Sequence, residues 1–117
     1  MDVNEIKKWA DDAVKIRQKI KDEAYEKTSE LVKAYGEETE DCYVFEFKEG
    51  DQPTVVDYES GFDGDYDSRY IEKIELDKKY GGLSLIYGES EYEYMKYSDV
   101  SFSDRLYIID EILNLVM

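Results

Sequence analysis

Residues 42–48 read CYVFEFK, and their strict alternation decides the fold. Tyr43, Phe45 and Phe47 fall on one side of an extended chain, with Val44, Glu46 and Lys48 on the other. That is the period of a half-buried β-strand. Upstream the period is different. Ile6, Trp9, Ala13, Ile16, Ile20, Ala24, Leu31 and Tyr35 recur at threes and fours, or their sum, which is one stripe of an α-helix over 3–35. Asp2 supplies a cap, Glu5 stands in the capping-box position, and Gly36 supplies the stop. At about 1.5 Å per residue the helix approaches 50 Å, longer than one small domain covers. Its stripe weakens at Lys27-Thr28-Ser29, so the sequence predicts a bend there, or a free amino-terminal end that packs on a partner.

Downstream, Gly50-Asp51 marks a turn, and Pro53 stands at the edge of the next strand, TVVDYE (54–59). RYIEKIELD (69–77) and LSLIYG (83–88) follow, the latter after the turn Tyr80-Gly81-Gly82. EYEYMKY (91–97) reads as a fifth, edge strand. Links this short favour an antiparallel meander of four to five strands. From a cap at Ser101 or Ser103, a last helix carries the stripe Phe102, Leu106, Ile109, Leu113 and Val116. Ile108, Ile112 and Leu115 widen it, so the helix packs on the sheet. The expectation is a single α+β domain over 1–117: a helix over 1–36, then an acidic sheet and carboxy-terminal helix over 37–117.

The 117 residues carry thirty acidic and fifteen basic side chains, a formal charge of -15. Self-repulsion of that size opposes folding, but an apolar fraction of 42% is too high for a disordered acidic chain. The charge is uneven. Residues 1–36 hold eight acids and eight bases, so the whole -15 lies in 37–117. Within it, 37–67 hold twelve carboxylates against Lys48 alone, a net of -11.

Asp63, Asp65 and Asp67 alternate within GFDGDYD (61–67), as in the opening of an EF-hand loop. Such a loop needs glycine at its sixth position and glutamate at its twelfth. Here those positions hold Ser68 and Ile74, and the flanks read as strands. The three aspartates remain metal candidates, but an acidic turn explains them better. Glu89, Glu91 and Glu93 repeat with period two, with Tyr92 and Tyr94 on the other face. In a strand such carboxylates stand about 6.6–6.8 Å apart, a coarse imitation of the regular charge of a nucleic-acid strand. Tyrosine beside carboxylate suits a basic protein surface. The candidate partner-binding residues are Asp57, Glu59, Asp63, Asp65, Tyr66, Asp67, Glu89, Glu91, Tyr92, Glu93 and Tyr94.

The chain has no histidine, which removes His-based acid–base chemistry and His-ligated zinc. Cys42 is the only cysteine and has acidic neighbours, so it reads as a small core residue, not a reactive thiol. No cofactor and no enzymatic activity are expected, and the anionic surface disfavours direct nucleic-acid binding. MDVNEIKKWADD lacks the apolar run of a signal peptide, and no apolar stretch is long enough to span a membrane. The expected location is cytoplasmic.

In layout the chain resembles small acidic α+β proteins of phages and mobile elements. One group shares a meander ending in a helix patterned like FSDRLYIIDEIL (102–113). The other comprises anti-CRISPR, anti-restriction and toxin-immunity inhibitors, several of which mimic the charge of DNA. The resemblance implies an inhibitor that binds the basic, nucleic-acid-binding surface of a partner protein, in the host cytoplasm if phage-encoded. Two alternatives stand beside it: an immunity protein against a nuclease toxin, and an adaptor or homodimer joined through the first helix.

Overall fold

The first helix, α1, runs unbroken from Val3 to Tyr35 in the computed structural model, which describes residues 2–57 and 67–117. Asp2 caps it by accepting a hydrogen bond from the Asn4 N–H at 2.9 Å, and its charge complements the positive end of the helix dipole. Gly36 ends it, with its N–H bonded to the Val32 carbonyl at 2.9 Å. Its φ of -83° is open to any residue, so glycine is needed there for room and not for a left-handed turn. A Cβ at Gly36 would lie 2.5 Å from the Val32 oxygen and 2.7 Å from the Val44 oxygen. The bare backbone lets the helix end lie directly against the strand.

The strands are β1 (Glu37–Glu38), β2 (Cys42–Glu46), β3 (Thr54–Asp57), β4 (Asp67–Tyr70), β5 (Lys73–Asp77), β6 (Leu83–Ile86) and β7 (Tyr94–Lys96). A 3-10 turn, Tyr97–Asp99, leads to the second helix, α2 (Phe102–Val116), capped by Ser101. The α+β class and the helix–sheet–helix order are as the sequence predicts; the sheet differs in detail. Five strands pair antiparallel in the order β1-β2-β5-β6-β7, while β3 and β4 form a separate hairpin. The stretch 69–77 is two strands, joined through Ile71 and Glu72. Glu72 accepts from the Phe47 N–H, and Pro53 accepts from the Ile71 N–H, each at 2.8 Å. Pairing therefore resumes five residues out of register, with 48–52 looped out of one strand only. Pro53, read as an edge residue, is fully buried at this junction.

Phe45, Ile74, Leu85 and Met95 stand opposite one another across four strands, and all are buried. Both helices cover this face. From α1 come Ala24, Thr28 and Val32; from α2 come Arg105, Ile108 and Ile112. Two sequence expectations need correcting. The gap in the stripe at Lys27-Thr28-Ser29 is part of the buried face: Thr28 is fully buried, with its hydroxyl 2.9 Å from the Tyr97 hydroxyl. The stripe of α2 is rotated from its predicted position. Arg105 points inward and Leu106 is exposed, because the arginine finds polar partners inside.

Tyr97 is fully enclosed; its hydroxyl reaches the Ala24 carbonyl at 3.3 Å, and Tyr25 packs edge-on at 5.4 Å. Burial pushes this hydroxyl above its ordinary 10.0, opposed by the Thr28 hydrogen bond and the Arg105 charge. The unfolded chain therefore loses this proton first as pH rises. The stabilisation is complete below about pH 10 and is lost as pH climbs through the higher folded value. Tyr97→Phe is expected to make the loss of stability above pH 10 less steep, while costing about 1–2 kcal/mol at neutral pH. Urea denaturation across pH 7–11 reads both effects; an unchanged alkaline slope would contradict the assignment.

Candidate functional site

Because Phe45, Ile74, Leu85 and Met95 point to the core, the residues alternating with them point away from the helices. On this outer face Glu46, Lys73, Ile86 and Tyr94 form one row across the sheet. Val44, Glu75, Ser84 and Lys96 form the next. The first row, with Glu75 and Ser84 of the second and the 88–91 turn, lines a groove of about 730 Å³. Among the described residues five carboxylates line it: Glu46, Glu72, Glu75, Glu89 and Glu91. Lys73 is the one cation in its lining, and it pairs with Glu75 at 3.6 Å. Ile86 and Tyr94 add apolar and aromatic surface to the lining.

Tyr94 also borders a second depression of about 390 Å³, lined with Tyr87, Tyr92, Lys96, Asp57 and Asp99. Tyr92 is exposed and Tyr94 half-exposed. Two aromatic faces thus stand beside the acidic groove, suited to stacking on guanidinium groups.

The lysines of α1 do not neutralise the groove, since α1 covers the opposite face of the sheet. Within α1 they pair along the helix, as in Lys19–Glu23 at 3.8 Å and Lys27–Glu30 at 3.4 Å. Neutralisation occurs elsewhere, at the β1 edge. There the Lys78 ammonium donates to Glu38 at 2.7 Å, which lowers the Glu38 carboxyl below its ordinary range and raises Lys78 above its own.

The sequence-predicted residues separate into four groups. Glu89, Glu91, Tyr92 and Tyr94 line the two depressions. Glu93 does not stand in a ladder with Glu89 and Glu91, because 88–93 is a turn and β7 begins only at Tyr94. Its carboxylate accepts from the Ser90 N–H at 3.3 Å and its carbonyl from the Tyr87 N–H at 2.9 Å, so it holds the turn closed. Asp57 is buried, 3.8 Å from Arg69, and Asp67 lies 3.3 Å from the same guanidinium. Arg69 holds both across the β3–β4 hairpin, and Asp57 also borders the second depression. Glu59, Asp63, Asp65 and Tyr66 lie outside the described residues. Of the three candidate metal aspartates only Asp67 is described, and no group of three metal-ligating side chains gathers among the described residues.

Sequence reasoning missed Glu46, Glu72 and Glu75. Alternation placed Glu46 opposite Phe45, but only strand pairing reveals which acids share its face. Among the described residues no helix is long and apolar enough to cross a membrane. No protein-family model matches this chain, and no curated protein or solved structure matches it.

Proposed function

We propose that this protein is a non-enzymatic inhibitor whose outer sheet face occupies the basic, nucleic-acid-binding surface of a partner protein. The observation that carries this reading is the groove with five carboxylates and one paired lysine. Four of those carboxylates have no ion-pair partner among the described residues, so they meet an incoming cation without first losing one. Lysine and arginine side chains that ordinarily hold phosphates enter the groove, and Tyr92 and Tyr94 stack against the guanidinium planes. The surrounding negative field speeds encounter and makes it sensitive to salt. The resemblance to phage and mobile-element inhibitors supports testing an anti-CRISPR or anti-restriction role first.

The test removes charge from the groove and, separately, from the helix. One variant carries Glu46, Glu72, Glu75, Glu89 and Glu91 as glutamine. The other changes five acids of α1, Asp11, Asp22, Glu23, Glu26 and Glu30, to their amides. Both lose the same net charge. Titrated into an immobilised arginine-rich peptide, the groove variant is expected to lose about 30-fold or more in affinity, on the order of 2 kcal/mol. The helix variant should lose less than about 3-fold. Equal losses would show general attraction with no site. Inhibition of DNA binding by a panel of RNA-guided and restriction nucleases then identifies the partner class.

A further inference from the structure

The exposed half of α1 carries a seam that the other described residues leave uncovered. Phe102, at the start of α2, stacks under the Arg17 guanidinium at 5.0 Å, and Arg105 reaches the Lys21 carbonyl at 3.0 Å. These contacts advance in the same sense along both helices, so α2 lies alongside α1 from about Arg17 onward. The turns before Arg17 project beyond it. On and just past that projection Ile6, Trp9, Ile16 and Ile20 are 46%, 71%, 58% and 36% exposed.

Their spacing distinguishes this half from the buried half. Ile20, Ala24, Thr28 and Val32 follow one another at intervals of four, and the last three are buried against the body. Ile6, Trp9, Ala13, Ile16 and Ile20 follow at three, four, three and four. The second pattern is the seam of a coiled coil, which faces a partner helix lying almost parallel to its own axis.

We propose that the occupant of this seam is a second copy of the chain, with the two α1 projections packed antiparallel. Two observations on charge select that arrangement. First, residues 1–36 sum to zero while the remainder carries -15, so the helices attract or ignore one another while the bodies repel. With Ala13 of one copy beside Ile16 of the other, antiparallel packing holds the bodies about 20 Å apart along the axis, at 1.5 Å per residue. That exceeds two screening lengths of about 8 Å at physiological salt. Parallel packing would set the two acidic bodies side by side.

Second, the flanking charges are complementary. Asp12 and Lys19 border the seam on the same side, one heptad apart. In the antiparallel register each Asp12 faces Lys19 of the other copy, twice per dimer. Lys19 also pairs with Glu23 at 3.8 Å, but both side chains are well exposed and that pair exchanges at little cost. In the same register Trp9 meets Ile20 of the second copy. Two heptads are short for a coiled coil, which places dissociation on the order of 10–100 µM.

Sedimentation equilibrium on the full chain tests this directly, from about 5 to 500 µM, the span that brackets such a constant. The mass is expected to rise from 13.8 kDa toward twice that value. The fluorescence of Trp9, the only tryptophan, is expected to shift to shorter wavelength over the same range. Ile16→Glu, at an exposed position that keeps a good helix former, should hold the chain at a single mass with unchanged circular dichroism. Asp12→Lys should weaken association about 5-fold or more, as should Lys19→Asp, and the double exchange should restore it to within about 2-fold. A chain that stays monomeric with unshifted fluorescence overturns the proposal and leaves the seam to a helix of another protein. A dimer that the double exchange does not restore overturns the antiparallel arrangement.

Discussion

Replacing Arg105 with alanine is expected to lower the unfolding free energy by about 3–5 kcal/mol, a third or more of the stability of an ordinary small domain. The side chain is 5% exposed and has no carboxylate partner among the described residues. Three backbone carbonyls take the place of a counter-ion. The Nε donates to Val100 at 3.0 Å, one terminal nitrogen to Lys21 at 3.0 Å, and the other to Ser98 at 2.9 Å. The guanidinium also lies 4.9 Å from the centre of the Tyr97 ring. One residue thus ties α1, the 3-10 turn and the start of α2 together, and its removal takes a charged donor away from three carbonyls at that junction. Arg105→Lys should recover little, because an ammonium cannot span three carbonyls set around a planar fork. Thermal unfolding would show a midpoint lowered by on the order of 15 °C. As a control, Arg17→Ala, which loses only the contact with Phe102, should cost no more than about 1 kcal/mol. An Arg105→Ala protein within 1 kcal/mol of the parent would show that water satisfies these carbonyls equally well.

Gly36→Ala is expected to destabilise by about 2–4 kcal/mol, the opposite sign from the backbone preference of these residues. Where space is free and φ is negative, alanine in place of glycine restricts the unfolded chain and stabilises. At Gly36 the added methyl would meet two carbonyl oxygens, those of Val32 and Val44, which belong to backbone and cannot turn aside as side chains do. The end of α1 and the middle of β2 must then part, opening the packing of Val32 on Phe45 and its neighbours. Denaturation in urea measures the cost. A Gly36→Ala protein as stable as the parent would mean that the helix end shifts freely on the strand.

The division between what was and was not legible in the sequence follows the range of the interactions. The strand at Cys42–Glu46, the extent of α1, the Asp2 cap and the helix–sheet–helix order all depend on neighbours within a few residues, and periodicity reports those directly. Two of the errors involve polar groups that find partners far along the chain. Thr28 looks like a gap in a stripe until Tyr97, sixty-nine residues later, meets its hydroxyl. Arg105 looks like solvent-facing surface until the Lys21 carbonyl, eighty-four residues earlier, accepts from it. Glu93 looks like a rung of a charged ladder because alternation cannot reveal a turn that closes on its own side chain. The candidate site was half legible for the same reason. Glu89, Glu91 and Tyr94 are near one another in the chain, while Glu46, Glu72 and Glu75 reach them only through strand pairing.

The five looped-out residues at 48–52 give the chain slack at one defined place. Lys48, Glu49, Gly50 and Asp51 are exposed, and the ladders on either side are already out of step with each other. Lengthening that loop changes neither register, and each doubling of a loop costs only about 0.6 kcal/mol. Within Cys42–Glu46 a single added residue would instead turn the strand over, sending Phe45 to water and Glu46 to the core. Evolutionary variation in length, and any epitope or reporter spliced in by an experimenter, belongs at 48–52 and nowhere in that strand.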